Sequence, residues 1–141
     1  MAAGDIEACR DAVYTLLDTI AGFKKLWKCD PDAIVTNCEI AVLADTGTHG
    51  QFGVMCRLVK PQFRLRVYLP MGAYPEGTET TIIALWDSMV SLFNSNVTLS
   101  NTAVWSKLSG YRLGFQTVAG VKCRIMEARL LAWIAKETIY S

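Results

Sequence analysis

The chain of 141 residues has one histidine, His49, in the stretch Asp45-Thr-Gly-Thr-His-Gly50. Any Cys/His nucleophile pair would have to be built on that single imidazole. A metal site there would start from His49 and Asp45 and still lack ligands, because zinc takes three or four from the protein. Five cysteines (Cys9, Cys29, Cys38, Cys56 and Cys123) are an odd number, and no two are spaced C-x-x-C. Neither a disulfide framework nor a structural zinc site is expected, and free thiols in a reducing cytosol are. Charged residues make up 19% of the chain, against about a quarter in a typical soluble domain. No apolar run approaches 18 residues, so no membrane span is expected. The opening Met1-Ala-Ala-Gly-Asp-Ile-Glu7 lacks the basic and apolar regions of a signal peptide. There is no G-x-S-x-G, H-E-x-x-H or G-x-G-x-x-G, and the loop around His49 lacks the lysine of a phosphate-binding P-loop. Repeats, low-complexity stretches and linkers are also missing, so residues 1–141 are expected to form a single domain.

Apolar residues are plentiful, at 52%, which is enough to offset the ordering entropy of a folded core. Little charge on the outside suggests a permanent partner surface. The net charge of +1 argues against a free-standing nucleic-acid binder held by bulk charge. The charges are unevenly spread. Residues 1–45 carry eight acids and four bases, and residues 46–126 carry three acids and eight bases. This is either chance placement on solvated faces or a molecule with an acidic and a basic end, which suits head-to-tail association.

Ile6, Cys9, Val13, Leu16, Leu17 and Ile20 recur at helical spacing and predict a helix over 5–21. Lys24, Lys25 and Lys28 around Trp27 fit a solvated helix exit or a basic patch with an aromatic. Strands are expected at 38–44, 52–59 and 62–69, with a flexible loop at 45–50 and an interruption near Lys60-Pro61. In the last of these, Phe63, Leu65, Val67 and Leu69 point one way and Arg64, Arg66 and Tyr68 the other. Ile82, Leu85, Trp86, Met89 and Phe93 mark the buried face of a second helix over 78–94. Tyr111–Val118 reads as a strand. Residues 122–137 are ambiguous: Met126-Glu-Ala-Arg-Leu-Leu-Ala-Trp133 consists largely of strong helix formers, yet its apolar residues also alternate at period two. Propensity alone favours a helix there; the strand, which would complete a hairpin with 111–118 and spare it an unpaired edge, is what the family resemblance given below implies. The fold class is α+β, a mostly antiparallel sheet with two helices on one face, in the order α-β-β-β-α-β-β.

The segment Phe63-Arg-Leu-Arg-Val-Tyr-Leu-Pro70, the loop with Tyr74-Pro75, the helix Ile82-Ile-Ala-Leu-Trp-Asp-Ser-Met89 and Ser109-Gly110-Tyr111 before the hairpin resemble lambda-type phage tail terminator proteins. The resemblance rests on element order and spacing along the whole chain; the Lys24–Ile34 segment and the helix-prone C-terminal stretch depart from it. It implies a virion protein without catalytic residues, metal or cofactor. Such a protein forms a ring, generally hexameric, that caps the tail tube and joins it to the head or neck. The partners implied are other copies of the chain, the tail-tube protein and the neck connector, with transient DNA contact in the ring lumen and no membrane. Candidate subunit-interface residues are Arg64, Arg66, Tyr68, Trp27 and Trp105. A candidate partner-facing loop set is Thr46, Thr48, His49 and Tyr74. The competing expectations are another small neck or tail-completion protein, or a small cytosolic enzyme or ligand module using His49 and a cysteine.

Overall fold

The computed structural model describes residues 5–34, 38–51, 56–71 and 75–137. Seven elements follow one another: α1 (Asp5–Leu17), β1 (Lys25–Trp27), β2 (Glu39–Gln51), β3 (Cys56–Pro70), α2 (Pro75–Ser95), β4 (Trp105–Val118) and β5 (Val121–Glu137). The fold is α+β, in the order α-β-β-β-α-β-β. The strands form one sheet in the order β1-β2-β3-β5-β4. Every neighbouring pair is antiparallel except β1, which runs parallel to the start of β2.

Both helices lie on one face of the sheet. Cys9, Val13 and Leu17 recur every four residues along α1 and are fully buried. Ile82, Leu85, Met89 and Phe93 form the matching stripe on α2. Beneath them sit the inward residues of the central strands, among them Phe63, Leu65 and Val67 of β3 and Met126, Ala128 and Leu130 of β5, in one core. The Tyr14 hydroxyl donates to the Leu26 carbonyl at 3.2 Å, tying α1 to β1. In the turn region after α1, Gly22 makes room for Leu85: a Cβ at that position would lie 2.8 Å from Leu85 Cδ2.

The C-terminal segment is a strand despite its helix-forming composition. β5 pairs with β3 along Cys123–Glu137 and with β4 along Val121–Trp133. A helix would forfeit both ladders and bury the alternating residues less well, so tertiary pairing overrides local propensity. The hairpin turns at Ala119-Gly120, both at positive φ (50° and 82°), which matches the right-handed twist of the flanking strands.

Three local expectations are corrected. Residues 45–50, expected as a flexible loop, belong to β2: Gly47, Thr48 and His49 lie opposite Pro61, Lys60 and Val59. The long β3 template holds this polar stretch extended, and a bulge between Ala44 and Gly47 absorbs the mismatch. Lys25–Trp27 is a short strand rather than a helix exit. Pro61 does not divide β3, which runs unbroken through it; only the ladder to β5 skips Lys60 and Pro61.

Leu85→Ala is expected to lower unfolding free energy by about 2–5 kcal/mol, because it opens a void between α2 and the sheet. Ile83→Ala, one turn-face away and 58% exposed, should stay within about 0.5 kcal/mol of wild type. Denaturant unfolding of the two variants checks the orientation of α2.

Candidate interaction surface

The sheet face opposite the helices carries a cluster of paired charges. Strand alternation sends Arg64 and Arg66 of β3 and Glu127 and Arg129 of β5 to this side. Arg66 and Glu127 are direct cross-strand partners, as are Arg64 and Arg129. Arg66 donates through Nε and Nη2 to Glu127 Oε2, at 3.2 and 2.9 Å. Arg64 Nη1 lies 3.5 Å from the other carboxylate oxygen. Asp30, on the segment that follows β1, closes the cluster: its Oδ1 is 3.3 Å from Arg66 Nη1 and accepts from the Tyr68 hydroxyl at 3.2 Å.

The titration shifts follow from this geometry. Partial burial pushes the Glu127 carboxyl up, but the hydrogen bond and charge of Arg66, with the charge of Arg64, outweigh it and hold the group below its ordinary value. Burial likewise pulls Arg66 down, and its hydrogen bonds with Tyr68 and Glu127 more than reverse this. Burial raises the Tyr68 phenol.

Beside Glu127 lies an open depression of about 280 Å³, lined by Ser109, Gly110, Tyr111, Arg112, Glu127 and Arg129. Arg112 sits opposite Glu127 on β4, and Gly110 sits opposite Arg129 just past a bulge. Glu127 is already engaged by two guanidinium groups. Among the described residues, Arg112 and Arg129 have no ion-pair partner, so this end of the face carries surplus positive charge.

The expected site residues are dispersed. Tyr68 is 1% exposed and packs with Ile34, Ala41 and Cys123 in a small second core, so it is not presented to a partner. Trp27 donates from Nε1 to the buried Glu39 Oε1 at 2.7 Å, with Lys25 Nζ 4.2 Å above its ring. Trp105 opens β4 and stacks on Trp133, with ring centroids 4.7 Å apart and Lys60 over Trp133. Trp27 and Trp105 thus occupy opposite edges of the sheet. Arg64 is tied to Glu127, and Arg66 to Glu127 and Asp30, within the chain itself. Thr46, Thr48 and His49 lie in β2, not in a loop, for the pairing reason given above. Tyr74 lies outside the described residues. The expectations missed Glu127, Arg129, Arg112 and Asp30. With residues 122–137 expected as a strand, alternation already places Glu127 and Arg129 on the face of Arg64 and Arg66, a signal that the site expectations did not use.

The thiols give a Cys/His nucleophile little support. Cys9, Cys38 and Cys123 are buried, and burial raises all three, Cys38 to about 12. A thiol raised in this way supplies almost no thiolate, the form that attacks. Cys29 is exposed and free. Among the described residues, no three His, Cys, Asp or Glu side chains gather as metal ligands. Among the same residues, no helix is long and apolar enough to cross a membrane.

The strand order carries the sequence asymmetry across the molecule. Residues 5–51, which span α1, β1, β2 and their connections, contain eight acids and four bases, for a net charge of −4. The β4–β5 hairpin, residues 105–137, contains six bases and two acids, for a net charge of +4. β1 and β2 lie towards one edge of the sheet, and β4 is the other edge.

Glu127→Gln is expected to destabilise the protein at pH 7 by about 1–3 kcal/mol, because it strips Arg66 of its charged acceptor. The folded carboxyl is depressed, so its contribution is complete above the ordinary range near about pH 4.3 and fades as pH falls through the lowered value. Denaturation of the two proteins across pH should show their difference closing only in acid. Iodoacetamide should label Cys29 in the folded protein and Cys9, Cys38 and Cys123 only after unfolding, as read by mass spectrometry.

No protein-family model and no curated protein matches this sequence, so the reading of this surface rests on its own geometry.

Proposed function

We propose that the protein is a structural subunit of a tailed phage: a tail terminator that assembles into a ring, caps the tail tube, ends its growth and joins it to the neck. The observation that carries this reading is the closing hairpin. Residues 121–137 form a strand against their own helical propensity, and the result is the element order implied by the resemblance: an N-terminal helix, a strand group ending at Pro70, a second helix and a final hairpin. The charge separation across the sheet supports it. Subunits of a closed ring meet through two different surfaces, and a molecule with a negative and a positive edge provides such a pair.

Function in such a ring is complementarity rather than chemistry. One face of the ring matches the last ring of tube protein and the other matches the neck. The ion pairs between Arg64, Arg66, Glu127 and Asp30 hold three parts of the subunit in fixed relation, which keeps the presented surfaces in shape. The guanidinium groups of Arg112 and Arg129 remain for a carboxylate on a partner.

Particle mass in solution, with negative-stain images, tests the reading. The chain alone and the chain co-expressed with the tube protein of its own genome should give closed rings in at least one case, and tubes grown with it should be shorter and capped. A monomer in both conditions, with tubes of unchanged length, overturns the proposal.

A further inference from the structure

The sheet ends in two open edges. Among the described residues, β4 pairs only with β5, so its other side is a fourteen-residue edge. One of its carbonyls, that of Gly114, accepts from Arg124 at 3.1 Å. Beside this edge, on the helix side, Tyr111, Leu113 and Phe115 are 52%, 38% and 58% exposed. A long edge strand with alternating exposed apolar residues is a template for another strand. At the far end of the sheet, β1 covers only Glu39–Ala41 of β2. The next ten residues of β2, Val42–Gln51, have β3 on one side and no strand on the other among the described residues.

We infer that the β4 edge pairs with the Val42–Gln51 edge of a second copy, so that the sheet runs on from subunit to subunit; this rests on the ring reading above and specifies its interface. Strand direction favours it. β2, β3, β5 and β4 alternate in direction across the sheet. A second copy set beside the first in the same orientation therefore brings its β2 antiparallel to β4, with the two edges ready to form a ladder. Charge points to the same occupant. β4 carries Lys107 and Arg112 and no acid, and Val42–Gln51 carries Asp45 and neither lysine nor arginine. Pairing two β4 edges about a two-fold axis would set bases against bases. The acid-rich and base-rich halves of the molecule meet in the head-to-tail arrangement and repel in the two-fold one.

Amide hydrogen exchange, followed by mass spectrometry on assembled and dilute protein, tests this. Alternate amides in both Val42–Gln51 and Trp105–Val118 should slow by about tenfold or more on assembly, because edge amides that faced water become paired. Protection of Trp105–Val118 alone means that two β4 edges pair and overturns the inference. Rings with neither segment protected place the interface elsewhere and also overturn it, while leaving the ring reading intact. A protein that stays monomeric with and without tube protein overturns both. The double variant Leu113→Lys, Phe115→Lys alters only exposed positions, so its circular dichroism and melting should match wild type while assembly is lost. A folded double variant that assembles like wild type overturns the inference.

Discussion

β5 is the strand on which the rest of the sheet depends. It is paired on both sides, to β3 and to β4, and it supplies the middle of the floor on which both helices rest. Backbone groups buried at the centre of a sheet must find partners, and this strand satisfies its own along with those of two neighbours. That requirement outweighs a run of residues that would be helical in isolation. Remove the strand and, among the described residues, β4 has no strand partner, β3 becomes an edge, and the core under the helices loses Met126, Ala128 and Leu130.

The same strand organises the charge. Glu127, on its outward side, is the common acceptor for Arg64 and Arg66, and Asp30 reaches Arg66 from a segment more than thirty positions earlier in the chain. One carboxylate therefore links β3 to β5, while the adjacent Arg112 and Arg129 keep the hairpin side positive. The helix-covered face holds the main apolar core, and the opposite face carries the Arg64–Arg66–Glu127–Asp30 cluster beside a smaller second core. This division follows from period-two alternation in which odd positions of β5 and even positions of β3 share a side.

Much of the fold was legible in the sequence because burial is periodic. The stripes Cys9–Val13–Leu17 and Ile82–Leu85–Met89–Phe93 repeat at helical spacing, and Phe63 to Val67 alternates until Tyr68, which the second core buries. What escaped was whatever depends on a distant partner. Thr46, Thr48 and His49 have the composition of a loop and are strand only because β3 extends alongside them. Lys25–Trp27 is too short to carry a period. The interaction surface was legible in half: Arg64 and Arg66 stood out as a basic pair, but their acceptors, Glu127 and Asp30, lie 61 and 36 positions from Arg66. Pairing over such separations leaves no local mark.

The position of β5 at the heart of the sheet also bears on how the chain folds. In chain order it is the last of the five strands, yet it sits between β3 and β4. Its contacts with β3 join Pro70 to Cys123 and Cys56 to Glu137, so the closing loops are long and their entropy must be met before the ladder repays it. During synthesis the earlier elements emerge first, with β3 exposing an unpaired side and α2 an uncovered stripe. The sheet can close only once β5 has been synthesised, because β5 joins β3 to β4. Until β5 is available, one side of β3 and the apolar stripe of α2 lack the partner they have in the folded sheet.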